Sequence, residues 1–440
     1  MWLGTVANAV WNKAFGAAPD AKSWAFAMNP IGARPDGTIS VGNAERRVLV
    51  VSHDPAFPPT SGADLRNCRN AEAAAEFGPV CLVSVRPRAM VPRAADAPIR
   101  IEALSIEGEA RTSSIGWWRM GAEQRISRSA LARLKTLVRD FRPDTVLVEG
   151  IGLFKLLRPL RPLTKQLILD MHNVESDLAG QLRRVDATRS AAAVIATSLG
   201  IRRLERKALA IVDRVWVCSA SDRERLMAVC GDKVPIDVVP NGIPHAGDIP
   251  ETLPAEAVTD NGFPEILFVG HLGYPPNVDA AERLAVAILP RIRQAFPTAR
   301  LVLAGRSPKP AVRALAGLPG VELVEDPQDV VPLLSRAHLS IIPLTAGGGT
   351  RIKILEAMAW GVPVIATPLA GEGLDLVDKD EVLLSDTDEG LAEMAVGLCL
   401  DAERRALQRI RAHRAVWARF GPRAVRNAVR DGLGLEEAGA

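Results

Sequence analysis

The sequence predicts an α/β protein made of two doubly wound, Rossmann-like domains in tandem, and three observations predict it. Apolar runs of strand length alternate with amphipathic helical patterns along most of the chain, the mark of parallel sheets covered on both faces. The alternation breaks at Pro240-Asn241-Gly242 and the polar stretch to Asn261, and then restarts. At 440 residues the chain also exceeds the size at which one core stops growing.

Taken in order, residues 1–46 are an N-terminal extension without the apolar centre and small-residue cleavage site of a secretory signal. Trp2, Leu3, Val6, Val10, Trp11 and Phe15 fall on one face of a short helix, which either packs on the protein itself or rests on a membrane or a partner. Residues 47–250 form the first domain. Its expected strands are Val48 to Ser52, Pro79 to Val85, Thr145 to Glu149, Gln166 to Met171, Arg214 to Cys218 and Ile236 to Val239. A Pro-rich loop with Ser61 and Gly62 leads from the first strand into a helix through Glu76, and another helix covers Leu199 to Ile211. Residues 251–415 form the second domain, with strands expected at Glu265 to Gly270, Arg300 to Ala304, Val321 to Val324, Leu339 to Pro343 and Val362 to Ala366. Its helices are expected at Val278 to Ala295 and from about Thr350 to Trp360. Residues 416–440 read as a helical tail, of the kind that returns to brace a first domain.

Composition narrows the function. Hydrophobic residues at 48% and charged residues at 24% describe an ordinary soluble globular protein. The longest apolar runs fall far short of the roughly 20 residues of a spanning helix. A cytoplasmic protein is therefore expected, with the inner face of the membrane as the alternative. The net charge of +3 is too small to argue for nucleic acid, yet it does not oppose a phosphorylated ligand or peripheral contact with an anionic membrane. The five cysteines are odd in number, scattered and without a C-x-x-C pair, which reads as buried thiols in a reducing compartment. Neither H-E-x-x-H nor G-x-x-x-x-G-K-[ST] occurs, so no metal, no P-loop and no cofactor are expected. Neither half carries G-x-G-x-x-G after its first strand, which argues against a dinucleotide oxidoreductase.

The most informative stretch runs from Gly347-Gly348-Gly349-Thr350-Arg351-Ile352-Lys353 through Glu356 to Thr367. It reads as a phosphate cradle. Glycines let the backbone approach a ligand, and the following helix offers unpaired N–H groups and a positive dipole end to an anion. Arg351 and Lys353 add full charges, and Glu356 further along the helix is placed to accept hydrogen bonds from ribose hydroxyls. Taken alone, a glycine-rich turn capped by a helix is equally an ordinary structural device.

The full run resembles the family 4 glycosyltransferases, also called group 1, whose mark is a Glu-x7-Glu element ending as Glu356 to Val364 does here. The form G-G-G-T-R-x-K is nearest to a subgroup associated with exopolysaccharide loci. Further pieces follow the family's order: Ser52 to Pro59 with Ser61-Gly62, Asp170 to Ser176, Val217-Cys218-Ser219, Val239 to Gly242 and Phe268 to His271. The resemblance implies the GT-B architecture, two Rossmann-like domains facing across a cleft. It also implies a retaining, metal-independent transfer of a sugar from a nucleotide-sugar donor on the second domain to a saccharide or lipid-linked acceptor on the first, in cell-surface polysaccharide synthesis. Two departures stand out. Gly348 occupies the position of the family's first Glu, and Gly270 to Asn277 lacks the Arg and Lys that many relatives set against the diphosphate. Arg351 and Lys353 are the expected substitutes.

Within these motifs, His172 is expected to act in catalysis on the acceptor side together with Glu356, Arg351 and Lys353. Gly62, Asn173, His271, Gly348, Gly349 and Thr350 are expected to bind substrate. Glu175 either shares that role or starts the following helix, His271 either meets a phosphate or fills its loop, and Tyr274 with its two prolines is read as a rigid loop. A nucleotide-sugar 2-epimerase and a non-catalytic nucleotide-sugar-binding protein are the alternatives of the same fold.

Overall fold

The computed structural model describes residues 45–57, 59, 61–86, 99–104, 126–181, 191–244, 246–247, 249, 251–257 and 263–435. The face expected on a helix near the N-terminus lies outside the described residues. Two parallel sheets carry the fold. The first has seven strands in the order β3-β2-β1-β4-β5-β6-β7, with β1 Val48–Ser52, β2 Val80–Ser84, β3 Ile99–Ala103, β4 Thr145–Glu149, β5 Gln166–Met171, β6 Arg214–Val217 and β7 Ile236–Val238. The second has six in the order β10-β9-β8-β11-β12-β13, with β8 Glu265–Val269, β9 Arg300–Gly305, β10 Val321–Glu325, β11 Leu339–Ile342, β12 Val364–Ala366 and β13 Leu383–Leu384. Every strand pairing in both sheets is parallel.

β1, β2, β11 and β12 are buried from end to end, and the other central strands at all but an end residue, because helices cover both faces. The two strands absent from the sequence reading lie at sheet edges. β3 interleaves Arg100 and Glu102 with its apolar residues and buries only its first residue fully, and β13 is two residues long. Neither presents the apolar run by which a central strand is recognised.

Three helix boundaries differ from expectation, the first being that of the helix Ala191–Leu209, which starts eight residues before the expected Leu199. The helix after the glycine loop begins at Ile352 rather than near Thr350, because Arg351 has φ −80 and ψ 83, outside the helical region. Glu356 therefore stands about one turn into that helix. In the second domain, Pro275 and Pro276 belong to the first turn of the helix Pro275–Arg283 and not to a rigid loop. Proline lacks the N–H that a first turn leaves unpaired, so it fits there. The chain continues through a π-helical turn, Leu284–Ile288, into Leu289–Ala295.

The tail crosses between domains. The helix Ala402–Phe420 sets Ala412, Val416 and Phe420 into the second domain's core. After Gly421 the helix Pro422–Gly432 lies on the first domain, where Val425, Val429 and Leu433 join Val48, Val50, Leu82 and Trp216 in one apolar cluster. Arg46 donates to the Leu433 carbonyl at 2.9 Å, and the Trp216 indole donates to the Gly432 carbonyl at 3.3 Å.

Candidate functional site

In each sheet the strand order reverses between two neighbours, β1 and β4 in the first, β8 and β11 in the second. Ligands of such sheets bind outside the carboxyl ends at that point. In the second domain the loops after β8 and β11 meet there, and the latter carries the glycine run.

Arg351 organises that run from within. Its guanidinium donates to the carbonyls of Gly347 at 3.1 Å and Leu369 at 3.2 Å, and also to that of Gly349. The side chain is buried, and burial lowers its pKa. Gly347 and Gly349 have φ +148 and +62, and both positions favour glycine. Lys353 turns the other way. Its ammonium donates to Asn277 Oδ1 at 2.8 Å and stands 4.0 Å over the centre of the Phe268 ring. A Cβ on Gly270 would come within 2.8 Å of that nitrogen, so the glycine makes room for it beneath the loop after β8. Loss of hydration, with Arg351 nearby, brings the Lys353 pKa down to about 7. The same loss of hydration, with Asp329 adding to it, pushes Glu356 up to about 7. Thr350 is buried, and its hydroxyl has no hydrogen-bond partner among the described residues. The His271 imidazole is exposed, while its backbone carbonyl accepts from Asn277 Nδ2 at 3.0 Å.

The first domain meets this loop directly. A Cβ on Gly348 would lie 2.7 Å from Asn173 Oδ1, and one on Gly349 would lie 2.4 Å from the His172 carbonyl. Gln181 Oε1 accepts from the Gly347 N–H at 3.2 Å, and Arg225 is paired with Glu372. A Cβ on Gly62, at the start of the helix Gly62–Ala75, would sit 3.0 Å from Ile352 Cδ1. Gly62, Asn173, Gly348 and Gly349 thus share one seam between the domains, and Thr350 adjoins it. His271 lies on the second-domain side.

Behind His172 is a cluster that the sequence reading did not single out. Asp170 is fully buried and takes Arg66 Nε at 3.0 Å on each oxygen, Arg66 Nη2 at 2.6 Å and Asn70 Nδ2 at 3.1 Å. Arg66 also donates to the Val239 carbonyl at 2.6 Å and to Asn241 Oδ1 at 2.9 Å. His172 stands between carboxylates, with Nδ1 3.9 Å from Glu149 and Nε2 3.8 Å from Asp170. Burial, assisted by Arg66, lowers its pKa to about 4. Burial raises Glu149 and Glu175 to about 7. Asn173 Nδ2 donates to Glu175 Oε1 at 3.3 Å, and the helix Glu175–Gln181 begins at the same residue. The signal for Glu149 was present in the sequence as a charged residue ending an apolar strand. Arg66 gave none, because a charge in a helix is ordinarily solvated.

Among the described residues no three His, Cys, Asp or Glu side chains are grouped to hold a metal ion, and no helix is long and apolar enough to cross a membrane.

With this geometry in place, comparison with known proteins is informative. Residues 61–242 match the model described as a glycosyl transferase 4-like domain, and residues 263–401 match that described as glycosyl transferases group 1. A phosphatidyl-myo-inositol mannosyltransferase of Propionibacterium freudenreichii is 30% identical over 150 residues, 34% of this chain and 37% of that protein. A glycogen synthase of Mycobacterium tuberculosis is 29% identical over 216 residues, 46% and 49% of the two chains. The chain thus matches about half or less of the length of these curated relatives. The solved structure of sucrose-phosphate synthase from Thermosynechococcus elongatus superposes with TM-score 0.66 at 17% identity, covering 88% of this chain and 98% of that one. HepE of Anabaena in complex with UDP and glucose superposes with TM-score 0.59 at 14% identity, covering 88% and 99%. At these identities the structures establish the fold, which is the GT-B arrangement of two Rossmann-like domains across a cleft.

Proposed function

Because the chain belongs to the group 1 glycosyltransferases, with their two domains in order, we propose that it moves a sugar from a nucleotide-sugar donor on the second domain to a saccharide or lipid-linked acceptor on the first. The proposed reaction retains configuration, needs no metal and serves cell-surface polysaccharide synthesis. One observation carries the reading. The glycine loop and the start of the helix Ile352–Ala359 open at the crevice of the second sheet and face His172 and Asn173 of the first domain.

In this reading the N–H groups of Gly348 and Gly349 receive the donor's diphosphate, that of Gly347 being taken by Gln181. Charge gathers on the diphosphate as the glycosyl bond breaks, and a preorganised donor in a dry site is worth roughly 3 kcal/mol at that point. Lys353 supplies the full charge from beneath the loop. Arg351 holds the loop's carbonyls, so it serves the diphosphate by fixing the backbone that meets it. Glu356, one turn along the helix, takes the ribose hydroxyls.

The test is a panel of nucleotide sugars screened by thermal shift, since a ligand bound only by the folded state raises its melting temperature. The matching donor should be turned over in EDTA, and Glu356→Ala should lower kcat/KM by about 1.5–3 kcal/mol, the worth of a charged hydrogen bond. Absence of any donor shift would overturn the reading. Activity lost in EDTA and restored by magnesium would overturn its metal independence.

A further inference from the structure

The crevice of the first sheet, outside the carboxyl ends of β1 and β4, holds an ionisable group that the donor does not need. Glu149 closes β4, and its Oε2 accepts from the His53 backbone N–H at 2.8 Å. Its Oε1 looks across 3.9 Å at His172 Nδ1. That gap is too long for a direct hydrogen bond, and one oxygen lying to the side of the line joining the two atoms can reach both at about 2.8 Å. The other ring nitrogen of His172, Nε2, faces Asp170 at 3.8 Å, and it and His53 Nε2 are buried without hydrogen-bond partners among the described residues. The backbone carbonyl of the same His172 abuts Gly349 of the donor loop. A hydroxyl placed between Glu149 and His172 is therefore next to the proposed donor.

We propose that Glu149 binds the acceptor's attacking hydroxyl, with His172 on its other side, and receives the hydroxyl proton during transfer. The inference rests on the glycosyltransferase reading above. In the step, the acceptor oxygen bonds to the anomeric carbon on the face from which the diphosphate departs, as retention requires. The bond from that carbon to the diphosphate breaks with its electron pair going to the diphosphate, and the proton passes to the Glu149 carboxylate. Only the ionised carboxylate can take it, and burial holds this carboxyl near 7. The groups around it are His53 with its partner Asp54 from the loop after β1, Asp64, Arg66 and Asn67 from the helix Gly62–Ala75, and Asp170 and His172 from β5 and its end. Arg66 is committed to Asp170, and burial outweighs the His53 N–H and imidazole that favour the ionised Glu149.

The experiment compares the parent, Glu149→Gln and Glu149→Asp. It uses the nucleotide sugar selected by the thermal-shift panel and octyl glycosides of glucose, mannose and galactose as acceptors. Glu149→Gln should cut transfer by about a hundredfold or more, within the range for a lost general base. It should keep the affinity for the donor's nucleoside diphosphate within about twofold, because the carboxylate lies on the acceptor side. At saturating donor, where the diphosphate keeps Lys353 charged, parental transfer should rise with pH through about 7, Glu149→Gln should lose that rise, and Glu149→Asp should recover part of the rate. Parental rates and pH profile in Glu149→Gln overturn the proposal. So does loss of nucleoside-diphosphate binding together with a lowered melting temperature, which would make Glu149 a structural residue. If the parent itself neither transfers nor hydrolyses any donor, the glycosyltransferase reading falls first.

Discussion

Lys353 and Arg351 stand two positions apart and send their charges in different directions, which the sequence cannot reveal because spacing alone does not fix where a loop ends and a helix begins. With Arg351 just outside the helix, its guanidinium reaches back to the carbonyls of its own loop, and Lys353 reaches forward to Asn277. Their proximity to the glycine loop was legible as charge near a cradle, but their division of labour was not. Glu149 stayed hidden because its importance depends on His172 and His53, which come from other strands. A testable consequence follows for Lys353, whose pKa is held near 7 against an ordinary 10.5. A bound diphosphate favours the charged ammonium and raises that pKa. Above pH 7 the free protein has mostly lost this proton and the complex holds it, so binding takes up a proton and affinity falls as pH rises. Calorimetry near pH 8 with the nucleoside diphosphate of the donor selected by the thermal-shift panel, in buffers of different ionisation enthalpy, should show the uptake. Lys353→Met should abolish it and weaken that binding about tenfold or more.

Among the elements, central strands were readable from continuous apolar runs, whereas edge strands and helix starts were decided by neighbours outside any local window. The glycine loop shows the limit most clearly. Three consecutive glycines announce a close approach, but not that the approaching groups are the His172 carbonyl and the Asn173 amide of the other domain. Glycine substitutions therefore separate two kinds of tightness. Gly349→Ala forces a side chain into a φ of +62 and against a carbonyl 2.4 Å away across the seam. It should leave each domain folded and depress transfer at least tenfold, read by kinetics alongside circular dichroism. Gly305→Ala places its Cβ 1.6 Å from the Gly270 carbonyl, between the ends of β9 and β8 within one sheet. That variant should fail to accumulate as soluble protein, and a parental melting temperature for it would contradict the packing described.

For the molecule as a whole, the two-domain plan was legible because each half repeats the same strand-and-helix grammar. The crossing of the tail was not, since an amphipathic helix gives no sign of which surface its apolar side will meet. Its contribution can be measured by ending the chain at Gly421. Val425, Val429 and Leu433 leave the first domain's core when the helix is removed, and burial of each such side chain is worth about 1.5–3 kcal/mol. That sum is a large part of a typical domain's stability. The shortened protein should therefore melt at least 10 °C lower or precipitate, with the loss confined to the first domain in hydrogen exchange. The crossing also bears on how the protein is made. The first domain cannot complete the cover of one face of its sheet until Val425, Val429 and Leu433 are made, and at about 5–20 residues per second the wait after β7 is on the order of 10–40 s. Through that interval an apolar face built around Val48, Val50 and Trp216 stands open on the ribosome, so the nascent chain is a natural client for chaperones that bind exposed apolar surface.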